Sequence, residues 1–327
     1  MAKRIVFTGK AQVEYQDCPD HVLLPGTVRI QAETTLVSTG TEGICYLRLF
    51  EPGSHFDAWV KSYPFETGYS MVGRVVELGD GVTEFKVGQR VASRRLHRTE
   101  AVAPVTETHL VPDELSNEEA VWFALATVGF MGAKNAGFRL GDSIAVVGGG
   151  PVGQMALRWA VAAGARHVVM VDPISLRLEM AKTGGATAVL AARVEDVGDQ
   201  LIDLCGGQAP RVVVDATGHP SVLSHCLPLP RWRGAVLLLG DAGAPTTQHI
   251  TKDVVTRGIQ IIGAHIRHEE DGWTERAVVD LFFDLARRGV FKLDGLNTHR
   301  YRPEQCVEAY SHLIEGREKT MGILFDF

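Results

Sequence analysis

The alternation of apolar and polar positions divides the chain into two textures. Residues 1 to about 115 carry short apolar or alternating runs at 5–7, 28–32, 73–78 and 90–92, interrupted at Pro25-Gly26, Gly79-Asp80-Gly81 and Val87-Gly88. Runs of that length broken by turn residues predict a small barrel-like β domain. Ser116, followed three residues later by Glu119, forms a capping box, so a helix is expected to start there. Beyond it strand and helix patterns alternate. Helices are expected at 176–183, 197–205 and 221–227, and strands at 189–190, 212–216, 236–239 and 259–262, which together predict a doubly wound parallel sheet. Residues 277–288 read as an amphipathic helix and 306–327 as helix, then strand.

The most informative stretch covers residues 144–172. Ile144-Ala145-Val146-Val147 reads as a strand buried on both faces, and it runs into Gly148-Gly149-Gly150-Pro151-Val152-Gly153. Gly148, Gly150 and Gly153 fill a G-x-G-x-x-G spacing, which permits a tight turn, a close backbone approach to a pyrophosphate and close helix–strand packing. Pro151 falls in the first turn of the next helix, where a missing N–H costs little, and that helix start offers N–H groups to phosphates. A second strand at 167–171 ends at Asp172, 19 residues after Gly153, where a carboxylate can accept both ribose hydroxyls. The ordered set points to a dinucleotide cofactor. Asp172 repels a 2′-phosphate and so favours NAD over NADP, while Arg177 is placed beside the same ribose or in solvent.

Composition narrows the class. At 327 residues and 45% hydrophobic content the chain can bury large cores, and two domains are the natural expectation. The net charge of −6 is dispersed, without a basic block, which argues against nucleic acid or an anionic membrane as partner. No apolar run is long enough to span a bilayer, and the N-terminus alternates like a strand, so a cytoplasmic location is expected. Cys18, Cys45, Cys205, Cys226 and Cys306 are scattered without a C-x-x-C pair, which implies neither a disulfide framework nor a zinc knuckle.

Further marks run along essentially the whole chain: Pro25-Gly26 before a strand, Gly68 with Val72-Gly73, Val87-Gly88-Gln89-Arg90-Val91, Gly141-Asp142 ahead of the fingerprint, Asp215-Ala216-Thr217-Gly218, and Gly234 with Gly240. In this combination the sequence resembles the medium-chain dehydrogenase/reductase superfamily. The resemblance implies an α/β chain with a GroES-like β-rich catalytic domain, residues 1–124 and 268–327, and a Rossmann domain, residues 125–267. It implies NAD(H) in the cleft between them and hydride transfer at C4 of the nicotinamide. Thr127 resembles the threonine that packs on the nicotinamide face and Val152 the valine that supports it; Thr217, Gly218, Leu239 and Gly240 are further expected cofactor contacts. A homodimer paired through the strand at 259–262 is expected as well.

The sequence departs from the zinc-dependent members, which carry a Cys where Ser38 stands in Ser38-Thr39-Gly40-Thr41-Glu42, and a Gly-His-Glu where Gly68-Tyr69-Ser70 stands. Neutral hydroxyls are poor zinc ligands, and no cysteine lies between Cys45 and Cys205 to build a structural zinc lobe, so no metal is expected. The Ser-x-Gly-Thr-Glu motif is similar to one in bacteriochlorophyllide a dehydrogenase and in sugar or cyclitol dehydrogenases. Without a metal, Tyr69 is the candidate donor to the substrate oxygen and His97 the candidate proton carrier. Ser38 and Thr41 are candidates to hold cofactor or substrate hydroxyls, Glu42 to orient Tyr69 or bind a polyol, and His55, Trp59 and Tyr63 to cover the cleft. Each has a structural alternative: Tyr69 packed in the barrel, His97 on a surface loop, residues 38–42 capping a turn. The expected activity is a zinc-independent, NAD-dependent oxidation or reduction of a small secondary alcohol or ketone, of sugar or cyclitol type. A quinone or enone reductase and a non-catalytic nicotinamide-responsive binding protein remain open alternatives.

Overall fold

Six short strands rich in Val, Ile and Leu form one parallel sheet: Ser143–Val147, His167–Val171, Ala188–Leu190, Val212–Asp215, Ala235–Leu238 and Gln260–Gly263. Counted along the chain they lie in the order 3-2-1-4-5-6, so the winding direction reverses beside the first strand. The central strands do not alternate in polarity because both of their faces are covered. Ile144, Val146, Val168 and Val214 pack under one layer of helices with Leu157 and Leu178, while Ala145, Val147, Val169 and Val213 pack under the other with Leu201 and Leu223. The structure, a computed structural model, describes residues 1–266 and 272–327. The domain boundary expected at 267–268 lies outside the described residues.

The second half is built around the long strand Thr27–Val37. It pairs antiparallel with Met71–Leu78, Glu100–Pro104 and Gly322–Asp326. Asn297–Tyr301 and Gly322–Asp326 therefore complete a sheet begun by the N-terminal residues. Ala2–Gly9, Gln12–Cys18 and Phe65–Glu66 form a smaller sheet against it. The fold is thus a mixed α/β chain with a GroES-like β-rich part and a Rossmann-like parallel sheet. Trp122, Phe123, Phe130, Trp159, Phe282 and Phe291 form a core shared by the two parts, with the Phe130 and Trp159 rings 5.1 Å apart and edge-on.

The capping box at Ser116 forms: its hydroxyl accepts from the Glu119 N–H, and the Glu119 carboxylate accepts from the Ser116 N–H. The helix it starts, Asn117–Ala120, lasts one turn before the chain bends and resumes as Phe123–Asn135. At the bend Trp122 Nε1 donates to Asn297 Oδ1 at 2.9 Å. The helix Thr39–Leu47, absent from the pattern-based expectations, follows the long strand directly. Among the described residues no helix is long and apolar enough to cross a membrane.

Candidate active site

The fingerprint loop forms at the carboxyl end of Ser143–Val147, beside the point where the strand order reverses. Gly148 has φ +93°, a left-handed conformation that favours glycine. A Cβ on Gly153 would lie 1.9 Å from the Gly148 carbonyl oxygen, so the helix Pro151–Ala162 sits on the strand as closely as a chain allows. Gly150 starts that helix with no side-chain cap, and a Cβ there would meet nothing within 4 Å. The space and the N–H groups at this end fit a pyrophosphate. Thr217, Gly218 and Gly240 converge on the same place: the Thr217 Cγ2 lies 2.8 Å from where a Gly148 Cβ would be, and a Gly240 Cβ would stand 2.3 Å from Gly218 N, while the buried Leu239 side chain lies against Gly132. Val152 is half-buried against the shared core. Thr127 is buried with its hydroxyl donated to Phe123 O at 2.8 Å.

Asp172 is only 2% exposed and already engaged. Its Oδ2 accepts from Gly149 N at 2.7 Å and Arg177 Nη1 at 3.2 Å, and its Oδ1 accepts from Ile174 N at 2.8 Å. With Arg177 so placed, Oδ2 already takes two protein donors and Oδ1 one. Arg177 is therefore an ion-pair partner and not a solvated helix residue, and its Nη2 lies 3.5 Å from the Arg317 carbonyl. Arg317, which sequence reasoning missed, comes from the C-terminal segment. Burial and the Arg177 charge lower its pKa, and Asp172 opposes that shift.

The second part of the site is made of hydroxyls. Ser38 joins the long strand to the helix Thr39–Leu47; Tyr69 follows Gly68, whose φ is +94°. These elements bring Tyr69 Oη to 2.5 Å from Ser38 Oγ, the phenol donating. Burial pushes the Tyr69 phenol above its ordinary 10, and bonds to Ser38 and Thr41 and the Arg94 charge oppose this without cancelling it. Tyr69 is thus a hydrogen-bond donor at neutral pH. Arg94, also missed from sequence, has its guanidinium carbon 5.9 Å from the Tyr69 ring centroid and its Nε 2.5 Å from Glu275 Oε1. Ser70 is buried and donates to Val121 O at 2.5 Å.

Behind this pair lies a buried cluster. Glu42 and His97 are 1% and 0% exposed. His97 Nε2 lies 3.1 Å from Glu42 Oε2, and its Nδ1 lies 2.7 Å from Thr35 Oγ1. Glu42 also accepts from Ser38 N at 2.7 Å, Thr67 Oγ1 at 2.7 Å and Tyr310 Oη at 2.5 Å. Burial alone would push the Glu42 carboxyl up; the His97 imidazole and the donated hydrogen bonds outweigh it and hold the carboxyl below its ordinary 4.5. This corrects the reading of His97 as a proton carrier to substrate, and equally its surface-loop alternative: the ring is enclosed and both nitrogens are engaged. It also removes Glu42 as a direct polyol ligand. Thr35, Thr67 and Tyr310 had no local signal, since Tyr310 meets Glu42 across 268 residues.

Nearer the cleft mouth, His55 Nε2 pairs with Asp241 Oδ2 at 3.2 Å, and Glu51 accepts from Thr246 N and Oγ1 at 3.0 and 2.6 Å. The stretch expected to cover the cleft therefore touches the nucleotide half. Trp59 is 44% exposed and packs edge-on against Phe65, and the buried Tyr63 hydroxyl has no protein partner.

Comparison with known proteins places this geometry. Residues 31–116 match the alcohol dehydrogenase GroES-like domain, and residues 151–283 match the zinc-binding dehydrogenase family. D-guloside 3-dehydrogenase of Escherichia coli K12 is 30% identical over 247 residues, 69% of each chain. The chain belongs to the medium-chain dehydrogenase superfamily. L-threonine 3-dehydrogenase of Bacillus licheniformis is 25% identical over 301 residues, covering 80% of this chain and 84% of that one. Among solved structures, an alcohol dehydrogenase of Escherichia coli CFT073 complexed with NADH superposes with a TM-score of 0.84 at 19% identity, covering 100% of this chain and 99% of that one.

The medium-chain dehydrogenase family implies a zinc ion, and the donor set here does not fit one. Tyr69 and Ser70 spend their hydroxyl protons on Ser38 Oγ and Val121 O, and none of the three hydroxyls is a thiolate, imidazole or carboxylate. Among the described residues no group of three or more His, Cys, Asp or Glu side chains is placed to hold a metal.

Proposed function

We propose that the protein is an NAD(H)-dependent, metal-independent oxidoreductase that interconverts a secondary alcohol and its ketone on a small polyhydroxylated substrate of sugar or cyclitol type. The observation that carries this reading is the Tyr69–Ser38 hydroxyl pair, held at 2.5 Å; the family resemblance implies metal ligands at these two positions. The nicotinamide, when bound, supplies or accepts the hydride. The chain does the rest. The glycine loop and the helix start behind it hold the pyrophosphate, and Asp172 accepts from the adenosine ribose and disfavours a 2′-phosphate. Tyr69, kept protonated by burial, donates to the ketone oxygen and stabilises the charge that grows there. It gives up its proton as the alcohol forms and regains one from water before the next turnover. Ser38 accepts from the phenol in the resting state and stays beside the oxygen during the reaction.

Turnover of polyols and cyclitols with NAD by chelator-treated protein tests the proposal. Tyr69→Phe is expected to lower kcat about 10²–10³-fold with NADH affinity unchanged. One zinc per chain, lost together with activity on chelation, would overturn the metal-independent reading. We infer a homodimer as well. Gln260–Gly263 is the last strand of its sheet, and Ile261 on it is 38% exposed. Light scattering that gives a monomer at micromolar concentration removes that inference.

A further inference from the structure

We propose that Glu42 is a positioning residue for the Tyr69–Ser38 pair, with Thr67 and Tyr310 as its supports. This rests on the assignment of that pair to the substrate oxygen. A carboxylate buried to 1% exposure is costly, and an apolar side chain of similar volume would fill the same space more cheaply. What the charge adds is direction. The two oxygens of Glu42 are aimed at from the two sides of the pair, one from each. Ser38 N points at Oε1, which fixes the peptide that carries the Ser38 hydroxyl. Thr67, two residues before Tyr69, donates its hydroxyl to Oε2, and its carbonyl accepts from His97 N at 2.9 Å. Gly68, between Thr67 and Tyr69, lies against the His97 ring so closely that a Cβ there would be 2.7 Å from it. The backbone leading into Tyr69 is therefore clamped by Glu42 and His97 together, and the backbone of Ser38 by the same carboxylate. Tyr310, on the helix Cys306–Glu315, donates to the oxygen that holds Thr67 and ties the clamp to the C-terminal segment. One carboxylate thus sets the separation between two hydroxyls that lie 31 positions apart in the chain.

The test compares Thr67→Val, which keeps shape and loses the hydroxyl, with Thr67→Ser, which keeps the hydroxyl. With sorbitol or myo-inositol and NAD, Thr67→Val should lower kcat about 10–100-fold, as a displaced reacting group does, with NADH affinity unchanged; Thr67→Ser should restore the rate. A second readout needs no turnover. The Tyr69 phenol is followed by ultraviolet difference titration, each variant referenced to the same variant carrying Tyr69→Phe. In Thr67→Val its ionisation should fall toward the ordinary 10 as the ring loosens into solvent, and in Thr67→Ser it should stay raised. If Thr67→Val does not fold, Tyr310→Phe carries the same titration. An unchanged Tyr69 ionisation in the valine variant, with only a lower melting temperature, would mean that the cluster is structural and would overturn the proposal. Full turnover by Tyr69→Phe would instead sink the assignment of the pair itself while leaving the titration result to stand alone.

Discussion

The two ends of the cleft are made in opposite ways. At the nucleotide end the site is backbone: a glycine loop, a bare helix start and two further loops, most of it within one continuous stretch from Gly148 to Asp172. At the end where we propose that the substrate oxygen sits, the site is side chains, drawn from Thr35, Ser38, Glu42, Thr67, Tyr69, His97 and Tyr310 and gathered around one buried carboxylate. A backbone site fails when anything is added to it. A side-chain site fails when something is removed.

The largest effect expected follows from that difference. Gly153→Ala puts a Cβ 1.9 Å from the Gly148 carbonyl, a contact that only a backbone shift relieves, so thermal unfolding should show a cost of about 3 kcal/mol and NADH titration should show no binding. Gly150→Ala is the control. Its φ of −67° is ordinary and its Cβ would meet nothing, so stability should hold while NADH binding weakens where the pyrophosphate approaches. Equal stability of the two variants would break the contrast.

The halves also differ in acid. His109, on the strand Thr108–Leu110, is 1% exposed, and neither ring nitrogen has a protein partner. Burial, and then the Arg276 and Arg94 charges, lower its pKa from 6.5 to about 4. Above pH 6.5 it is neutral in both folded and unfolded chains and its contribution to stability is complete. Between 6.5 and about 4 the unfolded chain takes the proton and the folded chain does not, so about 3 kcal/mol is lost across that window. Glu42, held below 4.5, adds its own loss only below that value. In the nucleotide half Asp215 has the opposite sign: burial raises its pKa against the bonds from Thr217, so its cost is relieved as pH falls. His109→Leu should flatten the slope of denaturant midpoint against pH from 6.5 to 4, and a variant as pH-sensitive as the parent would refute this.

These contrasts explain what was legible in the sequence. The strands of the parallel sheet were readable to within a residue or so because burial on both faces leaves a short apolar run between turn residues, as at 144–147 and 212–216. The fingerprint was readable because its parts are neighbours in the chain. His97 was misjudged for the same reason: its neighbours Arg94, Arg95 and Arg98 suggest a loop in solvent or at the cleft, and nothing local reveals that Thr35 and Glu42 close over the ring. Tyr310 is an ordinary core aromatic by spacing, and only the fold brings its hydroxyl to Glu42. Arg177 lay between the two cases, placed near the ribose by its spacing from Asp172 but with its carboxylate partner invisible until the loop was folded.

The smallest effect expected concerns that residue pair. Asp172→Ser removes the charge that disfavours a 2′-phosphate and frees the Arg177 guanidinium to meet one, so the ratio of NADP to NAD affinity should rise. Asp172 also accepts from Gly149 N and Ile174 N, and a serine hydroxyl can replace one of those bonds but not both. NAD affinity should therefore fall about tenfold, or about 1.4 kcal/mol, with part of that loss coming from a loosened loop and part from the ribose contact. Arg177→Ala on the Asp172→Ser background separates the two. If the gain in NADP binding comes from the freed guanidinium, the double variant loses it while keeping the weakened NAD binding. If the ratio never moves in Asp172→Ser, the carboxylate serves the glycine loop alone, and the proposal that it selects NAD against a 2′-phosphate falls.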